Sequence, residues 1–198
     1  EKDLSIFKRK LKVCGEIYYF IDIYIKLLIF LVSRPIQLVL LGYNHLDLLK
    51  YCAMALPTFQ RSLDKEVSCT GVGLHSGKTV NLTLKPAPIN HGIKFVRKDL
   101  PDNPTIPARF NRVVDTSLAT VIGSDGVIVS TIEHLMACLA GLSIDNILVE
   151  LDSYEVPVMD GSAGPFTRMI TEAGIREQKA LRHFFVLKEP IKLEQDGK

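Results

Sequence analysis

The chain has 198 residues, enough to bury one good hydrophobic core with appendages. Its formal charge of +2 is too small to argue for a nucleic acid or an acidic membrane surface as partner. Four scattered cysteines (Cys14, Cys52, Cys69 and Cys138) have no paired spacing, which fits reduced thiols in a cytosolic protein better than a disulfide framework or a cysteine-based zinc site.

Composition shifts near Met54. Upstream the chain is crowded with Ile, Leu, Tyr and Lys, and a basic start before an apolar run invites a signal-anchor reading. The run over 17–32 is shorter than the ~20 residues a membrane span needs. It also contains Asp22 and Lys26, each costing roughly 2.5–3.5 kcal/mol at the centre of a span. Residues 1–58 are therefore expected to be an apolar extension outside the working domain, with Met54 standing just before the first globular pattern.

From Glu66 the pattern is that of an α/β mixture. "TVNLTLKP" (79–86) alternates strictly, as a half-buried strand does. "GIKFVRKD" (92–99) follows a turn, and "LATVIG" and "GVIVS" flank a hairpin turn at Ser124-Asp125-Gly126. A helix is predicted over 131–140, stopped by Gly141, then a buried strand over 144–152. A second helix over 166–174 has Pro165 ahead of it and Gly174 closing it. Polar "REQKA" (176–180) reads as a linker, and "HFFVLKEPIKLE" (183–194) as the start of new strand material. Strands with two helices point to an α+β fold, a two-layer sandwich of a β-sheet against two helices.

"GVGLHSGKT" (71–79) imitates a phosphate-binding loop but fails the test. Only three residues separate Gly73 from Gly77, and a strand follows where a helix should open. Its glycines instead suggest a tight turn, with His75 in a surface loop. In "STIEHL" (130–135), Ser130 and Glu133 have capping-box spacing, which would give Glu133 a purely structural task. The chemical alternative rests on His134: near a helix start an imidazole tends to stay neutral, the form a metal requires. A glutamate beside a metal-ligating histidine suits hydrolysis, but a catalytic zinc needs three protein ligands and the domain offers one convincing candidate. Cys138, four residues on, lies in an apolar run and reads as core. "MDGSA" (159–163) is turn chemistry, with Asp160 or Ser162 placed to start the following helix.

"TGVGLHSGK", "STIEHLMACLAGLSIDNILVEL" and "VPVMDGSAGPF", in this order and at these separations, closely resemble the UDP-3-O-acyl-N-acetylglucosamine deacetylase family (LpxC), the zinc amidases of lipid A biosynthesis. The resemblance runs from about Phe59 to the end of the chain. It implies a protein of two similar domains with the active site between them. Residues 59–176 would be the complete first domain, and 177–198 a linker and the first strands of the second. It further implies that His134 is a Zn2+ ligand, Glu133 the general base, His75 a substrate-side residue and Leu118, in "DTSLAT", a weaker one. Asp160 would be architectural. The other zinc ligands and a second catalytic histidine would come from the second domain, beyond Lys198. The substrate implied is UDP-3-O-acyl-N-acetylglucosamine, cleaved to release acetate, in the cytoplasm of a Gram-negative-type bacterium, with peripheral inner-membrane contact through the acyl chain. The competing expectation is a truncated, inactive remnant acting at most as a binding domain.

Overall fold

The structure, a computed structural model, describes residues 57–184. All but the last two residues of the expected extension, and most of the strand material over 183–194, lie outside these residues.

The core is organised by a five-stranded mixed sheet in the order β2-β3-β9-β4-β5. Its strands are β2 (Val67–Val72), β3 (Thr79–Pro86), β4 (Ile93–Arg97), β5 (Thr105–Pro107) and β9 (Ile147–Leu151). β9 is central, antiparallel to β3 and parallel to β4. The two-residue period of a strand sends alternate side chains to opposite faces, and the registers line up like with like. Leu84, Val149, Phe95 and Ile106 are successive cross-strand partners, and all four are fully buried. The other face carries Thr83, Lys85 and Glu150, with a Lys85–Glu150 ion pair at 2.9 Å. One face is therefore committed to the core.

Two helices cover it. α1 (Glu133–Gly141) buries Leu135, Met136, Cys138 and Leu139, and α2 (Gly164–Ala173) buries Phe166 and Ile170. Burying a side chain of this size contributes roughly 1.5–3 kcal/mol. The Thr167 hydroxyl donates to Cys138 Sγ at 3.3 Å, joining α2 to α1. The fold is α+β, as expected, and Cys138 is core. α2 begins two residues before the sequence suggests, with Pro165 in its first turn, and ends against Gly174 at φ 84°.

Two smaller sheets complete the domain. β6 (Val113–Asp115), β7 (Val121–Ser124) and β8 (Val127–Val129) form an antiparallel unit, preceded by a short 3-10 turn over Phe110–Arg112. The β7–β8 turn has Asp125 at φ 52° and Gly126 at φ 81°, the left-handed pair that suits the twist of a tight hairpin. Arg97, at the rim of the large sheet, donates Nη1 to the Ile128 carbonyl and Nε and Nη2 to Asp99, fastening this unit to the main body.

The remaining pair overturns an expectation. "REQKA" is not a linker: it lies within β10 (Ile175–Leu181), which pairs antiparallel with β1 (Phe59–Leu63). The amide of buried Asn146 ties the pair to the sheet by donating to Gln60 and Gln178, and Gln178 donates to the Ala87 carbonyl.

Candidate active site

The helix that carries Glu133 and His134 is launched without a side-chain cap. Its N-cap is Ile132, and Glu133 opens its first turn. Ser130, expected to cap it, is instead bridged to the chain at Glu155: its N–H donates to the Tyr154 carbonyl, and its carbonyl accepts from Val156 N–H. The capping-box reading is thus overturned. The reason is Thr131, which turns the chain through the left-handed region at φ 58° and separates Ser130 from the helix start. A β-branched residue rarely adopts that conformation, and it costs roughly 1–2 kcal/mol.

Freed from capping, the Glu133 carboxylate reaches the loop before β7. Its Oε1 accepts the Thr120 backbone N–H. Its Oε2 is buried and has no hydrogen-bond partner among the described residues; the same holds for His134 Nδ1. An orphaned buried polar atom costs about 1–3 kcal/mol, so two on adjacent residues are unusual in a settled core. An unpaired imidazole nitrogen and an unpaired carboxylate oxygen on successive residues suit a metal ligand with a neighbouring base. These two residues fit a zinc site from one side. No group of three or more His, Cys, Asp or Glu side chains capable of holding a metal occurs among the described residues. Cys138 does not extend the set, since burial pushes its thiol pKa up, against the bond from Thr167.

His75 sits on a turn between β2 and β3. Gly73 N–H donates to the Lys78 carbonyl and Gly77 N–H to that of Gly73, with Gly77 at φ 63°. A Cβ at Gly73 would overlap Ser76 Oγ and come within 2.5 Å of Glu155 Oε2, so a larger residue there must push the loop or the carboxylate aside. The loop folds over the Glu155 carboxylate: Oε1 accepts His75 N–H at 2.9 Å and Oε2 accepts Ser76 N–H at 2.8 Å. Glu155 Oε1 also accepts the Thr131 hydroxyl at 3.0 Å, and the residue is fully buried. Burial pushes this carboxyl's pKa up, but the bonds from His75, Ser76 and Thr131 outweigh it and hold it below its ordinary value.

Leu118 is 86% exposed in the loop leading to Thr120, two residues from the amide that holds Glu133. Asp160 is exposed, and its Oδ1 accepts the Ser162 N–H and hydroxyl; Ser162 Oγ in turn accepts the Gly164 N–H that opens α2. That is the helix-starting turn expected of it. The same loop packs on the end of β2, where Val158 N–H donates to the Val72 carbonyl and Pro157 and Met159 abut Gly71.

Two contributors were not singled out from the sequence. The Thr120 amide is a backbone group and carries no side-chain signal. Glu155 had one: a lone acid between Tyr154 and Val156, in a segment without helical period.

The sequence profile of the family described as UDP-3-O-acyl N-acetylglycosamine deacetylase (LpxC) matches residues 60–198. The chain belongs to that family. Among curated members named UDP-3-O-acyl-N-acetylglucosamine deacetylase, one from Myxococcus xanthus is 56% identical over 139 residues, 70% of this chain and 44% of the relative. One from Chromohalobacter salexigens is 55% identical over 139 residues, covering 70% and 46%. One from Idiomarina loihiensis is 51% identical over 140 residues, with the same coverage. The chain thus spans less than half the length of these deacetylases. The three motifs around His75, Glu133 and Asp160 all fall within the stretch that matches the LpxC family.

Proposed function

We propose that this chain supplies one half of the active site of a zinc-dependent hydrolase that removes the N-acetyl group of UDP-3-O-acyl-N-acetylglucosamine and releases acetate. The observation that carries this reading is the divided Glu133 carboxylate: Oε1 is fixed by the Thr120 amide while Oε2 is buried without a partner among the described residues, as is Nδ1 of the next residue, His134. His134 would hold zinc, with further ligands from the portion of the relatives that this chain does not span. Bound there, zinc would polarise the acetamide carbonyl and lower the pKa of a water. Glu133 takes the proton of the attacking water at Oε2, because its other oxygen is committed. The Thr120 amide keeps that carboxylate from swinging, so the base is oriented before substrate arrives. His75, on an exposed turn, faces the substrate side, and Leu118 offers an exposed apolar contact.

On this reading the unit from Phe59 through β10 is the first of two domains, the reaction is cytoplasmic within lipid A biosynthesis, and the acyl chain brings the protein to the inner membrane. Among the described residues no helix is long and apolar enough to cross a membrane. With one candidate ligand, the 198-residue chain alone acts at most as a binding domain.

The test is acetate release from UDP-3-O-acyl-N-acetylglucosamine by a chain carried to the length of its relatives, before and after chelation. Activity lost to chelator and restored by zinc is expected. A zinc-restored, folded protein that leaves the substrate intact would overturn the reading.

A further inference from the structure

We propose that Glu155 is a positioning residue that sets the His75 loop and the Glu133–His134 helix in one frame. Two separate segments converge on its carboxylate. The 73–77 turn presents two successive backbone N–H groups, from His75 and Ser76, one to each oxygen. Thr131, the residue whose left-handed backbone launches the helix, gives its hydroxyl to Oε1.

A buried carboxylate without a counter-ion is tolerated only when its lone pairs are used, and Glu155 makes no ion pair among the described residues. The His75 and Ser76 amides and the Ser76 and Thr131 hydroxyls that face it all act as donors. A neutral glutamine would turn its own N–H toward one of them, so the position demands an anion as well as a shape. The backbone enforces the same meeting: the Ser130–Glu155 bridge puts the carboxylate's own strand beside the helix launch, and Gly73 lacks the Cβ that would push the loop away. A strut serving stability alone would not need to join these two segments in particular. Joining them fixes how far His75 stands from Glu133 and His134, and displacements on the order of 1 Å in such a site can cut rate by about 100-fold.

The assignment of a catalytic consequence rests on the deacetylase reading, so the test has two readouts. The first is amide exchange and NMR shifts in the 198-residue chain. In Glu155→Gln, the His75 and Ser76 amides should move and lose protection by about tenfold or more, while Leu82 and Val149 stay protected. The second is kinetics in a chain at the length of its relatives, where Glu155→Gln should lower kcat/KM about 10- to 100-fold at unchanged zinc content. Unmoved His75 and Ser76 amides overturn the proposal. So does a lower melting temperature with kcat/KM unchanged per folded molecule. If Glu155→Gln does not fold, Gly73→Ala carries both readouts, since it keeps the anion and displaces the loop; the same two losses are expected, and parental values overturn the idea. An inactive parent protein would sink the deacetylase reading instead and leave the amide readout to decide Glu155.

Discussion

On the proposed reading Glu133 and His134, neighbours in sequence, have separable duties, and substitution should separate them. A base is not a ligand, so Glu133→Ala in a chain carried to the length of its relatives should keep its zinc while turnover falls roughly 10²–10⁴-fold. His134→Ala should lose metal and turnover together, because a site with one ligand fewer holds zinc poorly. Metal analysis and rate measurement on both variants check this; a Glu133→Ala protein with most of its activity would remove the base assignment. Glu155 gives a prediction with a sign. Burial opposes its ionisation, yet the bonds from His75, Ser76 and Thr131 prevail and depress its folded pKa. In the window between the folded value and the ordinary glutamate value near about 4.3, the unfolded chain binds more protons. The stabilisation is therefore complete above that ordinary value and disappears as pH falls through the folded one. Melting temperatures measured from pH 6 down to about 3 should fall more steeply for the parent than for Glu155→Gln, and parallel curves would contradict the assignment.

At the scale of elements, helix α1 shows where spacing misleads. Ser130 and Glu133 stand three apart, as a capping box requires, and a capping serine replaced by alanine costs about 1 kcal/mol. Here Ser130 Oγ has only a 3.3 Å contact with Thr131 Oγ1, so Ser130→Ala should cost less than about 0.5 kcal/mol by denaturant unfolding. A full capping penalty would mean that the helix starts earlier than Glu133. The sequence could not disclose this, because a threonine at positive φ has no compositional mark. Strands β3, β4 and β9, both helices and the Asp125-Gly126 turn were legible, since each buries one face or needs a turn residue of known kind. β10 was not: Arg176, Glu177, Gln178 and Lys179 give no apolar alternation, and its partner β1 lies at the other end of the described chain. The pair Glu133–His134 could be found by motif, but the groups that orient it, an amide at Thr120 and a buried acid at Glu155, became visible only once the chain was folded.

For the whole molecule the decisive quantity is coverage. The chain aligns with 44% to 46% of the relatives, and its described residues offer no three-ligand metal group. The isolated 198-residue chain is accordingly expected to hold zinc no more tightly than a one-histidine site, and to show no acetate release. Stoichiometric zinc surviving dialysis, measured by elemental analysis, would place the ligands somewhere other than proposed.

The pairing of β1 with β10 also decides how the domain responds to force. Phe59 stands opposite Leu181 and Leu63 opposite Ile175, so the entering and leaving ends of the described chain emerge side by side at one edge. A pull applied across those two ends loads the rungs of this ladder one after another, beginning at Phe59–Leu181, like a zipper drawn from its open end. Beyond the first rungs the load also falls on the bonds from Asn146 to Gln60 and Gln178 and from Gln178 to Ala87, which tie this pair to the rest of the domain. Stretched from its two described ends, the domain should first yield softly at this outer end of its seam, with the Glu133–His134 frame still intact.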